Sequence, residues 1–226
     1  MKDEIFSLKE PQAQYGKAVQ KALEIEQEPI KKKVSLDEYL EMIADGDRRL
    51  EYHDGEVVDI QSATEQHGLI CTNLTGLIYI CNRNIKCKVY AGDREVWIEK
   101  CRRMFYPDLI IVCGEHDMRQ MSKNVNATIN PSVVIEVMSG STEGFDLSIR
   151  MRCYKTIKGL KQIIFAAQDE KYVRVLNQLD ENEHGWTDFE YFEDEETILI
   201  GDCAIVLKDI YEDVIFKNEG QRAPNV

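Results

Sequence analysis

The sequence predicts a mixed α/β sheet with one helix crossing over between two late strands. Three observations predict it. Capping signals at Ser35 and Ser62 open stretches of helical period. Short apolar runs at 106–113, 132–138 and 161–167 are bounded by polar loops, as suits strands buried on both faces. Between the last two runs, residues 144–158 have a helical pattern that stops at Gly159, so a helix joins two strands of one sheet.

The 226 residues suffice for one well-cored domain with decorations, and 43% hydrophobic with 31% charged residues excludes wholesale disorder. The formal net charge of −13 argues against a broad basic face that coats nucleic acid, while leaving room for a local groove or an acidic cation pocket. No apolar run approaches the ~18 residues of a membrane helix, and the start, MKDEIFSLKEPQ, has no apolar leader core. The expectation is a cytoplasmic protein with no membrane partner. Seven cysteines, odd in number and irregular in spacing, are expected to be reduced thiols, mostly in the core.

Residues 1–34 are polar, carry Pro11 and Pro29 and end near Lys31-Lys32-Lys33, so they read as an N-terminal arm. The domain is expected over 35–214, with a tail at 215–226. Ser35 and Glu38 form a capping box for a helix to about Ala44. His53-Asp54-Gly55 marks a hairpin between strands at 49–52 and 56–60, because Asp-Gly suits a tight turn. A second capping box, Ser62 with Glu65, opens a helix expected over 63–82, with Ile70, Leu74 and Ile78 on its apolar face. Gly92-Asp93 is a hairpin candidate between strands at 86–91 and 94–100. The strand at 161–167 is expected to pair with one at 171–179. Edge strands at 188–192 and 197–207 and a short helix at 208–214 close the domain.

Two acidic residues interrupt apolar runs. Asp108 stands in Tyr-Pro-Asp-Leu-Ile-Ile-Val and Glu136 in Val-Val-Ile-Glu-Val-Met-Ser. Burying an ionised carboxylate is costly unless it is paired, protonated or metal-bound. With a period of two, Asp108 shares a face with Ile110 and Val112, and Glu136 with Val134 and Met138. On neighbouring strands the two would converge. Two hard oxygen donors suit Mg²⁺ or Mn²⁺, which would activate water and neutralise charge on a phosphoryl oxygen. Strand-end carboxylates held by arginine or by backbone N–H groups are the alternative.

Several further motifs stand in a definite order: Leu50-Glu51-Tyr52-His53-Asp54-Gly55-Glu56-Val57-Val58, Glu65-Gln66-His67, Pro107-Asp108, Glu136-Val137-Met138-Ser139, Ser141-Thr142, Asp146-Leu147, Tyr154 and Gln162-Ile163-Ile164-Phe165. In this order and spacing the chain resembles the Uma-type restriction endonucleases, a branch of the PD-(D/E)XK nuclease superfamily, over about residues 36–180. The resemblance implies a restriction-endonuclease-like α/β (α+β) fold with an αβββαβ core. It implies that Asp108 and Glu136, with the backbone carbonyl of Val137, hold Mg²⁺ or Mn²⁺. Glu51 matches an acidic position near the site, and His67 a recurrent histidine on the first core helix.

The superfamily usually carries a lysine two residues after the glutamate, where this chain has Met138. In the Uma-type branch a lysine four residues past the helix aspartate takes its place, and here that position is Arg150. Arginine can hold a phosphate oxygen but is a poor proton carrier. Arg150 could equally pair with Asp146 at i,i+4, on a stripe beside the apolar positions Phe145, Ile149, Cys153 and Ile157. The resulting expectation is a metal-dependent endonuclease acting on DNA, with a homodimer as a natural way to cut two strands. The alternative is a catalytically degenerate nuclease-like domain that binds nucleic acid or a protein. Cys113 and His116 are three apart without a second pair at metal spacing, and no Gly-rich phosphate loop or Gly-x-Ser-x-Gly elbow is present.

Overall fold

A computed structural model describes residues 33–44, 48–60, 62–84, 86–92, 94–138, 145–179 and 185–216, so nearly all of the expected arm lies outside the described residues. The first described helix, α1 (Leu36–Ile43), has both halves of its capping box: Ser35 Oγ accepts from the Glu38 amide, and Glu38 accepts from the Ser35 amide. Strands β1 (Leu50–His53) and β2 (Glu56–Asp59) pair with His53 opposite Glu56. That leaves Asp54 and Gly55 as a two-residue loop, and both have positive φ, the conformation for which Asp-Gly is suited. The next helix, α2 (Glu65–Cys81), starts later than expected. Its N-cap is Thr64 rather than Ser62. The Thr64 hydroxyl accepts from the His67 amide and donates to Gln168 Oε1, which fixes it in the cap.

Next come β3 (Cys87–Ala91), β4 (Val96–Ile98), β5 (Arg103–Phe105), β6 (Leu109–Cys113), β7 (Met118–Gln120), β8 (Asn126–Thr128) and β9 (Val133–Met138). Helix α3 (Phe145–Tyr154) leads to β10 (Gln162–Ala167), β11 (Val173–Gln178), β12 (Trp186–Tyr191), β13 (Thr197–Ile200), β14 (Cys203–Val206) and α4 (Leu207–Ile210). The central sheet has the order β12-β11-β10-β9-β6-β3, and a second sheet has the order β2-β1-β5-β4-β8-β7. In the central sheet β9 and β10 are parallel, as a connecting helix requires, and the other pairs are antiparallel. The run α2, β3, β6, β9, α3, β10 is the expected αβββαβ core. The segments β4-β5 and β7-β8 leave it to build the second sheet.

Alternation along the central strands sorts side chains between two cores. Leu109, Ile111, Val133, Ile135 and Val137 face α2, the β13-β14 ribbon and α4. Ile110, Val112, Val134, Ile163 and Phe165 face α3 and the second sheet. Phe216, assigned to the tail by the sequence, is buried against the first core.

Several expectations are corrected. Gly92 does not close a hairpin: β3 pairs with β6, while β4 lies between β5 and β8 in the other sheet. All three β4 residues are buried, which a hairpin partner on the edge of the central sheet could not achieve. The 144–158 helix ends at Tyr154, where tighter bonds from the Thr156 and Ile157 amides to Cys153 and Tyr154 take over before Gly159. Residues 197–207 form a separate ribbon rather than edge strands of the main sheet. The cysteines are not all thiols. Cys81–Cys203, Cys87–Cys113 and Cys101–Cys153 are disulfides, and Cys71 is free. Cys87 and Cys113 sit directly opposite each other in the β3-β6 register, which brings their Cα atoms to 4.0 Å.

The outer strands of both six-stranded sheets carry charge. Glu56 and Asp59 lie on β2, Arg119 on β7, Lys88 on β3, and Asp188 and Glu190 on β12. Thiol titration of the denatured, unreduced protein should find one thiol per chain, lost in Cys71→Ser, and seven after reduction. Seven thiols before reduction would refute the pairing.

Candidate active site

The β6-β9 register opposes Leu109 to Ile135 and Ile110 to Val134, so one step further outward sets Asp108 against Glu136. Pro107, which cannot donate to a ladder, ends the segment before β6 and leaves Asp108 at the strand's mouth. The Val137 amide donates to Asp108 Oδ2 at 2.7 Å, locking the carboxylate onto β9. Both carboxylates line a cavity of about 290 Å³, together with Glu51, Tyr106, Val137, Met138, Leu147 and Arg150 among others. The structure therefore brings together all of the expected site residues.

Arg150 spans the cavity wall. Its guanidinium forks onto Glu51, with Nη1 3.1 Å from Oε1 and Nη2 2.5 Å from Oε2, and Nη1 reaches Glu136 Oε1 at 3.3 Å. The ring of Phe105 lies 4.6 Å from the guanidinium carbon. Glu51 also accepts from the Tyr106 amide and shares a hydrogen bond with His53 Nε2 at 3.0 Å. The Tyr154 hydroxyl donates to Glu136 Oε1 at 2.5 Å. The α3 face that docks is therefore centred on Arg150 and Tyr154. Tyr154 is fully buried, whereas Ile149 is only partly so. The sequence placed this stripe at the edge of the buried face. The Asp146 side chain lies outside the described residues.

The electrostatics separate the two glutamates. Burial pushes the Glu51 carboxyl up, but the His53 hydrogen bond and the charge and donors of Arg150 outweigh it and hold it below the usual range. Burial pushes Glu136 up to about 7, with Asp108 and Glu51 adding repulsion that Arg150 and Tyr154 only partly offset. Arg150 stays charged: burial opposes its charge, but Glu136 and Glu51 raise its pKa above the ordinary arginine value.

His67, at the first turn of α2, points Nε2 at Asp108 Oδ1, 3.1 Å away. The hydrogen bond it donates to Asp108 raises its pKa against the opposing effect of burial. Its Nδ1 is 3.7 Å from Cys71 Sγ. The Cys71 thiol is pushed up to about 12 by burial, with the Asp108 and Glu136 charges adding. The sequence reading missed Tyr154, His53 and Cys71 as site neighbours. Each left a spacing signal: Tyr154 falls four residues after Arg150 and Cys71 four after His67 on their helices, and His53 two after Glu51 on its strand. Cys113 and His116 form no metal pair: Cys113 is in a disulfide, and His116 bonds to Tyr90 and Thr128.

Residues 36–204 match the model of the Uma2 family, described as "Putative restriction endonuclease". Two uncharacterized proteins of Synechocystis sp. are similar. One, sll1609, is 28% identical over 131 residues, which cover 58% of this chain and 73% of that protein. The other, slr1290, is 27% identical over 124 residues, covering 54% and 62%. Among solved structures, a "putative nuclease belonging to DUF820" from Anabaena variabilis superposes with a TM-score of 0.64 at 15% identity, covering 80% of this chain and 99% of that one. At that identity the likeness establishes the fold.

Two outcomes follow from the charges. Arg150→Ala leaves Glu51 and Glu136 buried without their common cation and should destabilise the protein by about 3–5 kcal/mol, read by denaturant unfolding. Arg150→Lys should lose less, because a charge remains but the fork is gone. The raised pKa of Glu136 stabilises the fold below its unfolded value and is lost as pH rises through about 7. His67 acts in the same sense, whereas Glu51 matters only at more acidic pH. In metal-free buffer from about pH 5 to about pH 8, wild type should therefore lose about 3 kcal/mol more than Glu136→Gln. Parallel pH profiles would contradict the assignment.

Proposed function

The chain belongs to the Uma2 family of nuclease-like proteins, and from that premise we propose that it is a divalent-metal-dependent endonuclease hydrolysing phosphodiester bonds of DNA. The observation that carries this reading is the register of β6 and β9, which opposes two carboxylates at the mouth of one cavity. The donor set fits a hard divalent cation: burial, with the neighbouring charges of Asp108 and Glu51, raises the pKa of Glu136 beyond what Arg150 and Tyr154 offset, and a cation held there would favour its ionised form. Asp108, Glu136 and the Val137 carbonyl would hold Mg²⁺ or Mn²⁺. When bound, the ion supplies positive charge to a phosphoryl oxygen and makes water a better nucleophile at neutral pH.

The protein's own groups do the positioning. Val137 N–H orients Asp108, and Tyr154 holds one oxygen of Glu136. Glu51 aims the guanidinium of Arg150, which keeps its charge and offers donors to an incoming phosphate oxygen. A DNA duplex needs two such sites to be cut on both strands, which a homodimer would provide.

One observation favours a second reading, a catalytically degenerate domain that binds nucleic acid or a protein. The superfamily's lysine position is Met138, and at the position where the Uma-type branch has a lysine, Arg150 is already engaged by Glu51 and Glu136. Single-turnover cleavage of plasmid DNA under saturating Mn²⁺ separates the two readings. Wild type should cut, Asp108→Ala should be slower by at least about 100-fold, and Arg150→Lys should retain activity. Mn²⁺ should also raise the melting temperature, as at 100 times Kd it contributes about 2.7 kcal/mol, and Asp108→Asn should lose most of this gain. Metal stabilisation without cleavage of any substrate selects the degenerate domain.

A further inference from the structure

His67 and Cys71 are four residues apart on α2, so their side chains project from the same side of the helix. Asp108 meets them from the central sheet. A nitrogen, a sulfur and a carboxylate oxygen from these three side chains all lie within 4.8 Å of one another. His67 turns Nε2 to Asp108 at 3.1 Å and Nδ1 to Cys71 at 3.7 Å, and a modest turn of the ring would close the three donors to the roughly 3.3–3.8 Å spacing of a tetrahedral ion with bonds of about 2.0–2.3 Å. All three residues are half-buried, so the cluster is shielded yet reachable. It is also held from outside. The His67 amide is capped by Thr64, which is tied to Gln168, and the second oxygen of Asp108 is fixed by Val137 N–H.

From this geometry we infer that His67, Cys71 and Asp108 form a metal site of their own, selective for a borderline transition ion of the Zn²⁺ class. Imidazole and thiolate donors suit such ions, whereas Mg²⁺ prefers oxygen ligands and keeps much of its water. Three protein ligands leave a fourth position for water or a substrate oxygen, the arrangement of catalytic rather than structural zinc. Cys71 is the one cysteine outside the disulfides, and metal coordination deprotonates a thiol that burial otherwise keeps neutral. The site shares Asp108 with the Mg²⁺ reading but does not use Glu136, and it requires no cleavage of DNA.

Co²⁺ is the probe, because a cobalt–thiolate bond absorbs in the near ultraviolet. Metal-free protein with its disulfides intact is titrated with CoCl₂. Wild type should develop a thiolate-to-cobalt band that saturates at one equivalent. Cys71→Ser should lose the band, and His67→Ala should weaken Co²⁺ binding by at least about 10-fold. Equimolar Zn²⁺ should displace the cobalt and equimolar Mg²⁺ should not. Glu136→Gln should keep the band even where Mg²⁺ or Mn²⁺ stabilisation is lost, which separates this site from the nuclease reading. Circular dichroism of each variant without metal establishes that it is folded, and Cys71→Ala replaces Cys71→Ser should the latter unfold. Absence of the band in wild type, its survival in the Cys71 variant, or displacement by Mg²⁺ would overturn the inference.

Discussion

The guanidinium of Arg150 is the charge on which the arrangement around the cavity depends. Glu51 comes from the second sheet, Glu136 from the central sheet and Arg150 from α3. Two buried carboxylates facing one space repel and cost desolvation. A single forked cation, stacked on Phe105 from the second sheet, lets both stay there. The ion pair therefore does double duty, sealing one sheet to the other and setting the polarity of the cavity. A lysine in its place would give charge but could not bridge both acids in one plane.

This arrangement leaves the two glutamates in different states. Glu51 is surrounded by donors and remains ionised, while Glu136 sits where its proton is nearly in balance at neutral pH. The difference comes from what faces each oxygen, because both side chains are buried. Asp108 stands at a strand mouth, partly open to solvent, between a backbone amide and an imidazole.

Much of this was legible in the sequence, because the relevant signals are local. Period-two alternation placed Asp108 and Glu136 on one face, and the Asp54-Gly55 turn and the Ser35 cap follow from side-chain chemistry within four residues. The αβββαβ order and the relevance of Glu51 and His67 came from the family resemblance. What stayed hidden depends on long-range pairing. Nothing near Gly92 tells β3 and β4 to part into different sheets, since both neighbours of β4 arrive from elsewhere in the chain. The disulfides join residues 26 to 122 positions apart. Arg150 has a plausible local partner in Asp146, and no pattern in the helix announces that a glutamate 99 residues earlier accepts from it.

The charged outer strands have a bearing on how copies of this chain can meet. Backbone groups on an open strand edge are a template for a neighbour's strand, and charge on that edge is a common deterrent. Continuing the second sheet antiparallel through β2 would bring Glu56 and Asp59 of one copy against the same acids of another. Continuing the central sheet through β12 would do so with Asp188 and Glu190. Arg48 and Arg174 pair with Asp59 and Asp188 within each copy, but at a net charge of −13 the balance between copies stays negative. Extending either six-stranded sheet across molecules through like edges is thereby disfavoured. Symmetric pairing of copies is directed instead toward helix and loop surfaces or the uncharged β13-β14 ribbon.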